Sequence, residues 1–318
     1  MDNTPGQTNA STENNPPAVA PRKKMLFFVN PKAGKAEIRN NLLDVLNLYT
    51  AAGYDVMVHP TQRAKEIPEL IQQVGDRYDC IVTCGGDGTL NETVTGLVQL
   101  KDPPLLGYIP SGTVNDFATS LQLPRDVMLA AEIVIHGRQF HCDVGTFNGK
   151  PFAYVAAFGA FTAVSYETPR AEKQALGRAA YILQGIRSLT EIRPYWVQLE
   201  HDGIIEEDEV IFGMVSNSMS IGGFKAMPNR EEIALDDGLS EVVLVRKIKT
   251  VLDLNAVTAA LLRQDFSSEH FLCFKTASLK LTFQEEVPWT LDGEFGGNVK
   301  QASIVNRCRA FRIMVPTE

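Results

Sequence analysis

One short stretch of the chain, VTCGGDGTLNE at residues 82–92, holds three glycines and a carboxylate directly after an apolar run. Because glycines have no Cβ atom, the backbone can approach a phosphate closely and can adopt positive φ angles. The amides of Gly88, Thr89 and Leu90 are predicted to open the following helix, whose N-terminus carries a partial positive charge and free N–H donors. The stretch therefore predicts a cradle for an anion such as phosphate.

Asp87 in this stretch does not suit a site for anions alone, because a carboxylate repels a phosphate. A cation between the two groups resolves the conflict, and Mg²⁺ is the usual cation beside phosphates in proteins. The alternative is a tight turn that is capped by Thr89 and binds nothing. The standard nucleotide motifs are absent, since Ala36 follows Lys35 where a Ser or Thr is needed, and Asn91 replaces a third glycine.

Two further loops carry polar residues at the ends of predicted strands. NPKAGK, at residues 30–35, offers hydrogen-bond donors and the cation Lys35. PSGTVNDFA, at residues 110–118, offers the hydroxyl of Thr113 and the carboxylate of Asp116. Alone, the first loop could be an ordinary strand-to-helix turn and the second a helix cap. Three such loops after three strands of one sheet predict a shared binding site.

The elements that must position these loops alternate along the first half of the chain. Strands are predicted over residues 25–30, 54–60, 79–84 and 105–110, and helices over residues 38–53, 64–74, 89–100 and 127–137. The alternation indicates βαβ units and a parallel sheet that is covered on both faces. Ligands of such sheets bind beyond the carboxyl ends of the strands, where the three loops lie.

The second half of the chain has a different pattern. From about residue 138, strand runs dominate and are separated by turn signals such as HDG, DDG and LDGE, with helical segments predicted only near 170–191 and 250–263. We expect a disordered polar tail over residues 1–24, an α/β domain over residues 25–138 and a β-rich domain over residues 139–305. Residues 306–318 could pack back on the first domain.

Composition excludes several classes of protein. The net charge of −8 and the pI of about 5.3 argue against a nucleic-acid partner. The five cysteines include no C-x-x-C pair and are predicted to be reduced core residues of a cytosolic protein, while the five histidines lack metal-ligand spacing. The longest uncharged run, Pro151–Tyr166, is too short to span a bilayer. It predicts either a buried strand pair or the lining of an apolar ligand site.

In their order and spacing, NPKAGK, GGDGTLNE and PSGTVNDFA resemble the catalytic domain of the diacylglycerol kinase and sphingosine kinase superfamily, especially its soluble bacterial lipid kinases. The likeness continues in LGRAAYIL (176–183), DDGL (236–239) and LDGE (291–294), and covers about residues 25–318. It implies a Rossmann-like α/β domain, then a β-sandwich domain, with ATP and substrate in the cleft between them. GGDGT alone is shared with NAD kinases and phosphofructokinases.

The resemblance also implies roles for single residues. Asp87 and Asp116 would organise the catalytic Mg²⁺, Asp143 would be a supporting acidic residue, and Glu294 would be the general base. Asp237 and the backbone carbonyl of Leu239 would bind a second, structural Mg²⁺. The predicted ATP-binding residues are Asn30, Pro31, Lys32, Ala33, Gly34, Lys35, Thr61, Gly86, Asp87, Gly88, Thr89, Leu90, Asn91, Glu92 and Thr113.

The function that these features predict is an ATP-dependent lipid kinase, with diacylglycerol as the first expected acceptor. An apolar cleft is expected from Pro151–Phe161 and the segment 176–189, with Arg178 and Arg187 beside anionic headgroups. We expect a cytoplasmic protein that docks transiently at the inner face of the membrane. The sequence does not determine the oligomeric state, and a homodimer is one option. The alternatives are an NAD kinase-like enzyme and a catalytically inactive nucleotide or lipid carrier.

Overall fold

The computed structural model describes residues 21–33, 38–113, 115–159, 193–217, 220–221, 224–225, 234–263 and 265–317. Its N-terminal part is built on four parallel strands, β1 (Lys23–Val29), β2 (Tyr54–Pro60), β3 (Cys80–Gly85) and β4 (Leu105–Pro110). They lie in the order β2-β1-β3-β4. The predicted parallel sheet is confirmed, and its central strands are continuous apolar runs because both faces are covered.

Helices cover this sheet on both faces. They are α1 (Ile38–Ala51), α2 (Glu66–Val74) with a short 3₁₀ turn (Gly75–Arg77), α3 (Asp87–Leu97), α4 (Asp116–Ser120) and α5 (Val127–His136). On one face, Val45 of α1 and Ala130 of α5 share a core with Phe27. On the other, Ile71 of α2 and Val94 of α3 share a core with Phe28. The short helix α4 and the 3₁₀ turn were not predicted as separate elements.

The second part of the chain is rich in strands, as predicted. These are β5 (Arg138–Phe147), β6 (Lys150–Phe152), β7 (Val155–Gly159), β8 (Tyr195–His201), β9 (Ile204–Ser216), β10 (Ser220–Ile221), β11 (Phe224–Lys225), β12 (Ser240–Arg246), β13 (Phe271–Thr276), β14 (Ser278–Leu291) and β15 (Glu294–Val315). The predicted second helix is α6 (Val251–Arg263), whereas residues 170–191 lie outside the described part of the chain.

The last strand, β15, joins the two parts of the molecule. It pairs with β14 and β5, and near its end Ile313 pairs in parallel with Leu106 of β4. A 13-stranded sheet therefore runs through both parts. The predicted domain boundaries stay predictions.

The apolar run after residue 150 is mostly buried where the structure describes it, with Pro151 and Tyr154 half-buried. Phe158 of β7 packs against Trp289 of β14, with ring centroids 4.7 Å apart, and Phe152 is fully buried. Two buried strands are thus confirmed over residues 151–159, but β6 pairs with β5 and β7 pairs with β14 and β9, so they do not pair with each other. The rings of Phe152 and Phe158 do not line an open cleft. Residues 160–192, with the predicted lining segment, Arg178 and Arg187, lie outside the described residues.

The cysteines and the helices bear on two further predictions. All five cysteines are free, and Cys80, Cys84 and Cys142 are buried, whereas Cys308 is exposed. The prediction of a core position is therefore wrong for Cys308. Among the described residues, none of the helices has the length and apolar character needed to cross a membrane.

Candidate active site

The GGDGT loop connects β3 to α3 at the carboxyl edge of the parallel sheet. Gly86 caps the helix with a φ of −89°, and neither it nor Gly88 has a positive φ, so that part of the prediction is wrong. The amides of Thr89 and Leu90 both donate to the carbonyl of Gly86, at 2.9 and 3.1 Å. These two donors are therefore used by the first turn of the helix instead of being free.

The glycines serve a contact between two loops. A Cβ atom on Gly112 would lie 2.5 Å from the Cα of Gly86, and one on Gly86 would lie 3.2 Å from the Cα of Gly112. GGDGT and PSGTVND therefore touch through their backbones, which explains a glycine in each. Gly88 has open space around it, so it is the position of the loop that a ligand can approach.

Asp87 is held by the neighbouring loop. Its Oδ2 accepts the amide of Asn115 at 2.8 Å, and its Oδ1 accepts the amide of Phe117 at 3.4 Å. Asp116, between those two donors, is also buried. Burial raises the pKa of Asp87, and the charge of Asp116 raises it further, against the effect of the amides. Two carboxylates in one partly desolvated place repel each other, and a cation would relieve that repulsion.

This arrangement fits Mg²⁺ bound together with a phosphate. Among the described residues, there is no group of three His, Cys, Asp or Glu side chains that could hold a metal. Mg²⁺ commonly uses one or two carboxylates and completes its shell with water and substrate phosphates. Asp87 and Asp116 are the residues that would supply the carboxylates.

The NPK loop lies against the GGDGT loop. Asn30 donates from Nδ2 to the Thr89 hydroxyl at 2.9 Å, and its Oδ1 accepts the amide of Lys32 at 3.0 Å. The amide of Thr61 donates to the carbonyl of Val29 at 2.9 Å, so the segment of residues 59–62 meets the same edge. Pro31 and Ala33 follow Asn30 in this loop. Gly34 and Lys35 lie outside the described residues.

The remaining predicted nucleotide contacts differ in their accessibility. Glu92 accepts the amide of Lys65 at 2.9 Å and so supports a residue with a φ of 63°. The Leu90 side chain is buried in the core, whereas Asn91 is half-buried and Thr113 is exposed. Asn91 and Thr113 can therefore present side chains to a ligand, while Leu90 cannot.

Asp143 lies where three segments meet. Its Oδ2 accepts the amide of Gly238 at 2.7 Å, its Oδ1 accepts the amide of Arg309 at 2.6 Å, and its carbonyl accepts Nδ2 of Asn217 at 2.8 Å. The side chain is fully buried. These contacts are those of a residue that braces the DDGL loop and β15.

The DDGL loop, to which the resemblance assigns a structural metal, has a lysine beside its acidic residues. Leu239 presents its amide to Oδ1 of Asp237, at 2.9 Å. The ammonium of Lys275 lies 3.6 Å from Oδ2 of Asp237 and 3.6 Å from Oε1 of Glu241. Burial raises the pKa of Glu241 to about 7 against the attraction of Lys275. A lysine therefore supplies the positive charge beside Asp237.

The LDGE segment is a two-residue hairpin turn between β14 and β15. Asp292 and Gly293 have φ angles of 50° and 82°, the left-handed pair of a type I′ turn, and Leu291 pairs with Glu294. Glu294 is exposed at the first position of β15. The predicted turn and the strand-end position of Glu294 are confirmed.

Sequence reasoning missed Asp292, the residue in this turn with the most contacts. Its carboxylate accepts the amides of Ala153, Tyr154 and Val155 at 2.7, 3.0 and 2.9 Å. Burial raises its pKa to about 6, against the effect of those amides. No local signal identified it, because an Asp before Gly is common in any hairpin turn.

The pKa of the Tyr154 phenol is affected by carboxylates from both parts of the chain. The Tyr154 hydroxyl donates to the carbonyl of Asp292 at 3.0 Å. Burial raises the pKa of this phenol, and the charges of four carboxylates raise it further. In decreasing order of effect they are Asp292, Asp87, Asp116 and Glu294. The charges of the predicted metal-organising residues and of the predicted base therefore all act on one phenol.

Two family models match successive parts of the chain. The model described as the diacylglycerol kinase catalytic domain matches residues 24–147. The model described as the YegS C-terminal NAD kinase beta sandwich-like domain matches residues 155–315. GGDGT and PSGTVND lie in the first range and LDGE lies in the second, so the carboxylates whose charges act on Tyr154 come from both.

Relatives cover nearly the whole chain. A diacylglycerol kinase of Bacillus subtilis (strain 168) is 33% identical over 298 residues, which are 93% of this chain and 97% of that protein. One of Staphylococcus aureus (strain MRSA252) is 30% identical over 300 residues, 93% of this chain and 94% of that protein. A solved structure from Bacillus anthracis str. Sterne, described as a candidate diacylglycerol kinase, has a TM-score of 0.79 at 28% identity and covers 92% of this chain and 97% of its own.

Proposed function

Because the chain belongs to the diacylglycerol kinase family, we propose that it transfers the γ-phosphoryl group of ATP to a lipid hydroxyl. Diacylglycerol is the acceptor that we favour. The chain is a phosphotransferase that acts on an alcohol group. The observation that carries the proposal is the contact between the GGDGT and PSGTVND loops, in which Asp87 accepts the amides of Asn115 and Phe117 beside the buried Asp116. The transfer also needs a proton acceptor, and Glu294 is exposed at the start of β15.

Phosphoryl transfer depends on positioning and on neutralising charge more than on covalent chemistry by the protein. In this proposal, phosphate oxygens approach the open side of Gly88, where the N-terminus of α3 favours negative charge. Asp87 and Asp116 would hold Mg²⁺, which would neutralise charge on the phosphates. Asn30 and Thr89, which are hydrogen-bonded to each other, hold the neighbouring loop in place.

Glu294 is the proposed proton acceptor for the lipid hydroxyl. An alcohol is a weak nucleophile, so a carboxylate within hydrogen-bond reach must take its proton as the attack proceeds. Glu294 is exposed at the start of β15 and can meet a substrate directly. Because the acceptor carries apolar chains, we propose that the enzyme meets it at the inner membrane surface, from the cytoplasm.

The test is transfer of labelled γ-phosphate from Mg²⁺-ATP to a panel of lipids in mixed micelles, with NAD as a separate acceptor. Asp87→Asn is the control, because it keeps the shape of the side chain and weakens metal binding. We expect at least one lipid to be labelled by the wild type and the variant to be slower by orders of magnitude, about 100-fold or more.

Other outcomes would overturn the proposal. Labelling of NAD without any lipid would support an NAD kinase-like enzyme. ATP binding without any labelled product would support an inactive carrier. Equal rates for Asp87→Asn and the wild type would remove Asp87 from the site.

A further inference from the structure

The turn before the proposed base is tied to a distant segment by an uncommon contact. Three consecutive backbone amides, of residues 153, 154 and 155, donate to the single carboxylate of Asp292. In return, the amide of Asp292 donates to the carbonyl of Val155 at 2.8 Å. The Tyr154 hydroxyl adds a bond to the carbonyl of Asp292 at 3.0 Å. Backbone and side chain of one turn residue are therefore both fixed by residues 153–155.

We propose that Asp292 is a positioning residue, which holds Glu294 in place against the carboxylates of the α/β part. The inference rests on the proposed function, in which Glu294 is the base. Asp292 itself is buried and does not touch the substrate. It acts by fixing the turn two residues before Glu294.

The turn alone does not require this buried carboxylate. The hairpin between β8 and β9 has the same Asp–Gly pair, and Asp202 and Gly203 have φ angles of 49° and 78°. There the Asp side chain is 55% exposed. Burying a carboxylate costs free energy unless hydrogen bonds compensate, so the burial of Asp292 needs a reason beyond turn formation.

The reason lies in what residues 153–155 contact. Ala153 is buried in the same core as Phe28 and Leu90 of the α/β part, and Tyr154 packs against that core. Two residues later, Ala156 belongs to the core of the β-rich part, with Trp289. Asp292 therefore fastens the LDGE turn to the segment that passes from one core to the other. A shift of that turn would move Glu294 relative to Asp87.

The experiment compares Asp292→Asn with Asp202→Asn in the full chain. Both changes keep a residue that suits a type I′ turn. At position 292, however, the new amide group of Asn points N–H donors at a backbone donor. We expect kcat for the labelled lipid to fall about 100-fold in Asp292→Asn, as for small misplacements of catalytic groups, with KM for ATP within about twofold. Asp202→Asn should match the wild type.

The same change made in the Glu294→Gln variant distinguishes a positioning role from a general loss of structure. If Asp292 acts through Glu294, then Asp292→Asn should lower kcat by less than about twofold when Glu294→Gln is already present, because residues acting as a unit are non-additive. Should Asp292→Asn fail to fold, Tyr154→Phe decides, because it keeps all three carboxylate bonds. It should lower kcat about fivefold in the wild-type background and not in Glu294→Gln.

Several results would overturn the inference. One is wild-type kcat in Asp292→Asn, or in Tyr154→Phe where the former does not fold. Another is an equal loss in the wild-type and Glu294→Gln backgrounds. A wild type that labels no lipid overturns the proposed function and this inference with it, whereas an active wild type with an unaffected variant overturns the inference alone.

Discussion

Two hairpin turns in the β-rich part share the dipeptide Asp–Gly and the same backbone geometry. Asp202 has a φ of 49° and Asp292 a φ of 50°, each followed by a left-handed glycine. Asp202 contacts its neighbour His201 and the Thr276 hydroxyl near the surface. Asp292 accepts three buried amides. Local sequence therefore determines the turn, and the surroundings determine what its carboxylate does.

The other Asp–Gly pairs extend the comparison. Asp87 and Gly88 begin helix α3 without a positive φ, because the chain there continues into a helix and does not reverse. Asp237 accepts the amide of Leu239 and lies beside the ammonium of Lys275. The same dipeptide thus begins a helix, lies in a loop, forms an exposed turn or forms a turn with a buried carboxylate. Its tertiary neighbours determine which.

The largest difference in activity between the two turns should come from the residue after the glycine, which is Glu294 in one turn and Ile204 in the other. Glu294→Gln removes the proposed proton acceptor, and we expect kcat to fall by about 10²–10³ with little change in ATP affinity. Ile204→Ser, at the matching position of the exposed turn, should leave kcat unchanged. Steady-state kinetics with labelled ATP measures both. Weaker ATP binding with an unchanged kcat would show that Glu294 is not the base.

The next largest contrast concerns stability. Asp292→Ala leaves three buried amides without their acceptor, and we expect the free energy of unfolding to fall by about 4 kcal/mol. Asp202→Ala should cost only about 1 kcal/mol, chiefly because alanine is disfavoured at the φ of 49°. Denaturant unfolding at pH 7 compares the two variants. Similar losses at both turns would contradict the difference in burial.

The pH dependence of stability offers a somewhat smaller contrast. The pKa of Asp292 is raised from 3.8 to about 6, so the folded state binds its proton more tightly than the unfolded state does. The stabilisation is complete below about pH 4 and is lost as pH rises through 6, by about 3 kcal/mol at 1.4 kcal/mol per unit. Unfolding of the wild type and of Asp292→Asn between pH 4 and 7 should show this loss only in the wild type. A constant difference would contradict it.

The smallest contrast involves a third turn of the same type. Asn148 has a φ of 48°, its Oδ1 accepts the amide of Ser303 at 2.8 Å, and its Nδ2 donates to the carbonyl of Gln301 at 3.1 Å. Asn148→Asp loses the donor and places a carboxylate near that carbonyl, so we expect a loss of about 1 kcal/mol. Asp202→Asn is the reverse change and should be neutral. Thermal unfolding of the pair tests this, and a neutral Asn148→Asp would exclude a contribution from the donor.

The sequence by itself determined the order of strands and helices and the common edge of the three polar loops. Apolar runs and helical spacing are local signals, and the carboxyl ends of parallel strands must meet at one edge of a sheet. The type I′ turn of LDGE was equally local, since Asp and Gly tolerate positive φ. The motifs therefore placed Asp87 and Glu294 at strand ends and Asp116 in the loop that follows a strand.

Only the tertiary structure decided which polar groups are buried and what they contact. The amides that hold Asp292 are 137–139 positions away along the chain, so no local pattern could reveal them. The Gly86–Gly112 contact and the ammonium of Lys275 beside Asp237 are likewise non-local. Burial and hydrogen-bond partners depend on segments that meet after folding, whereas turn geometry depends on the residues of the turn itself.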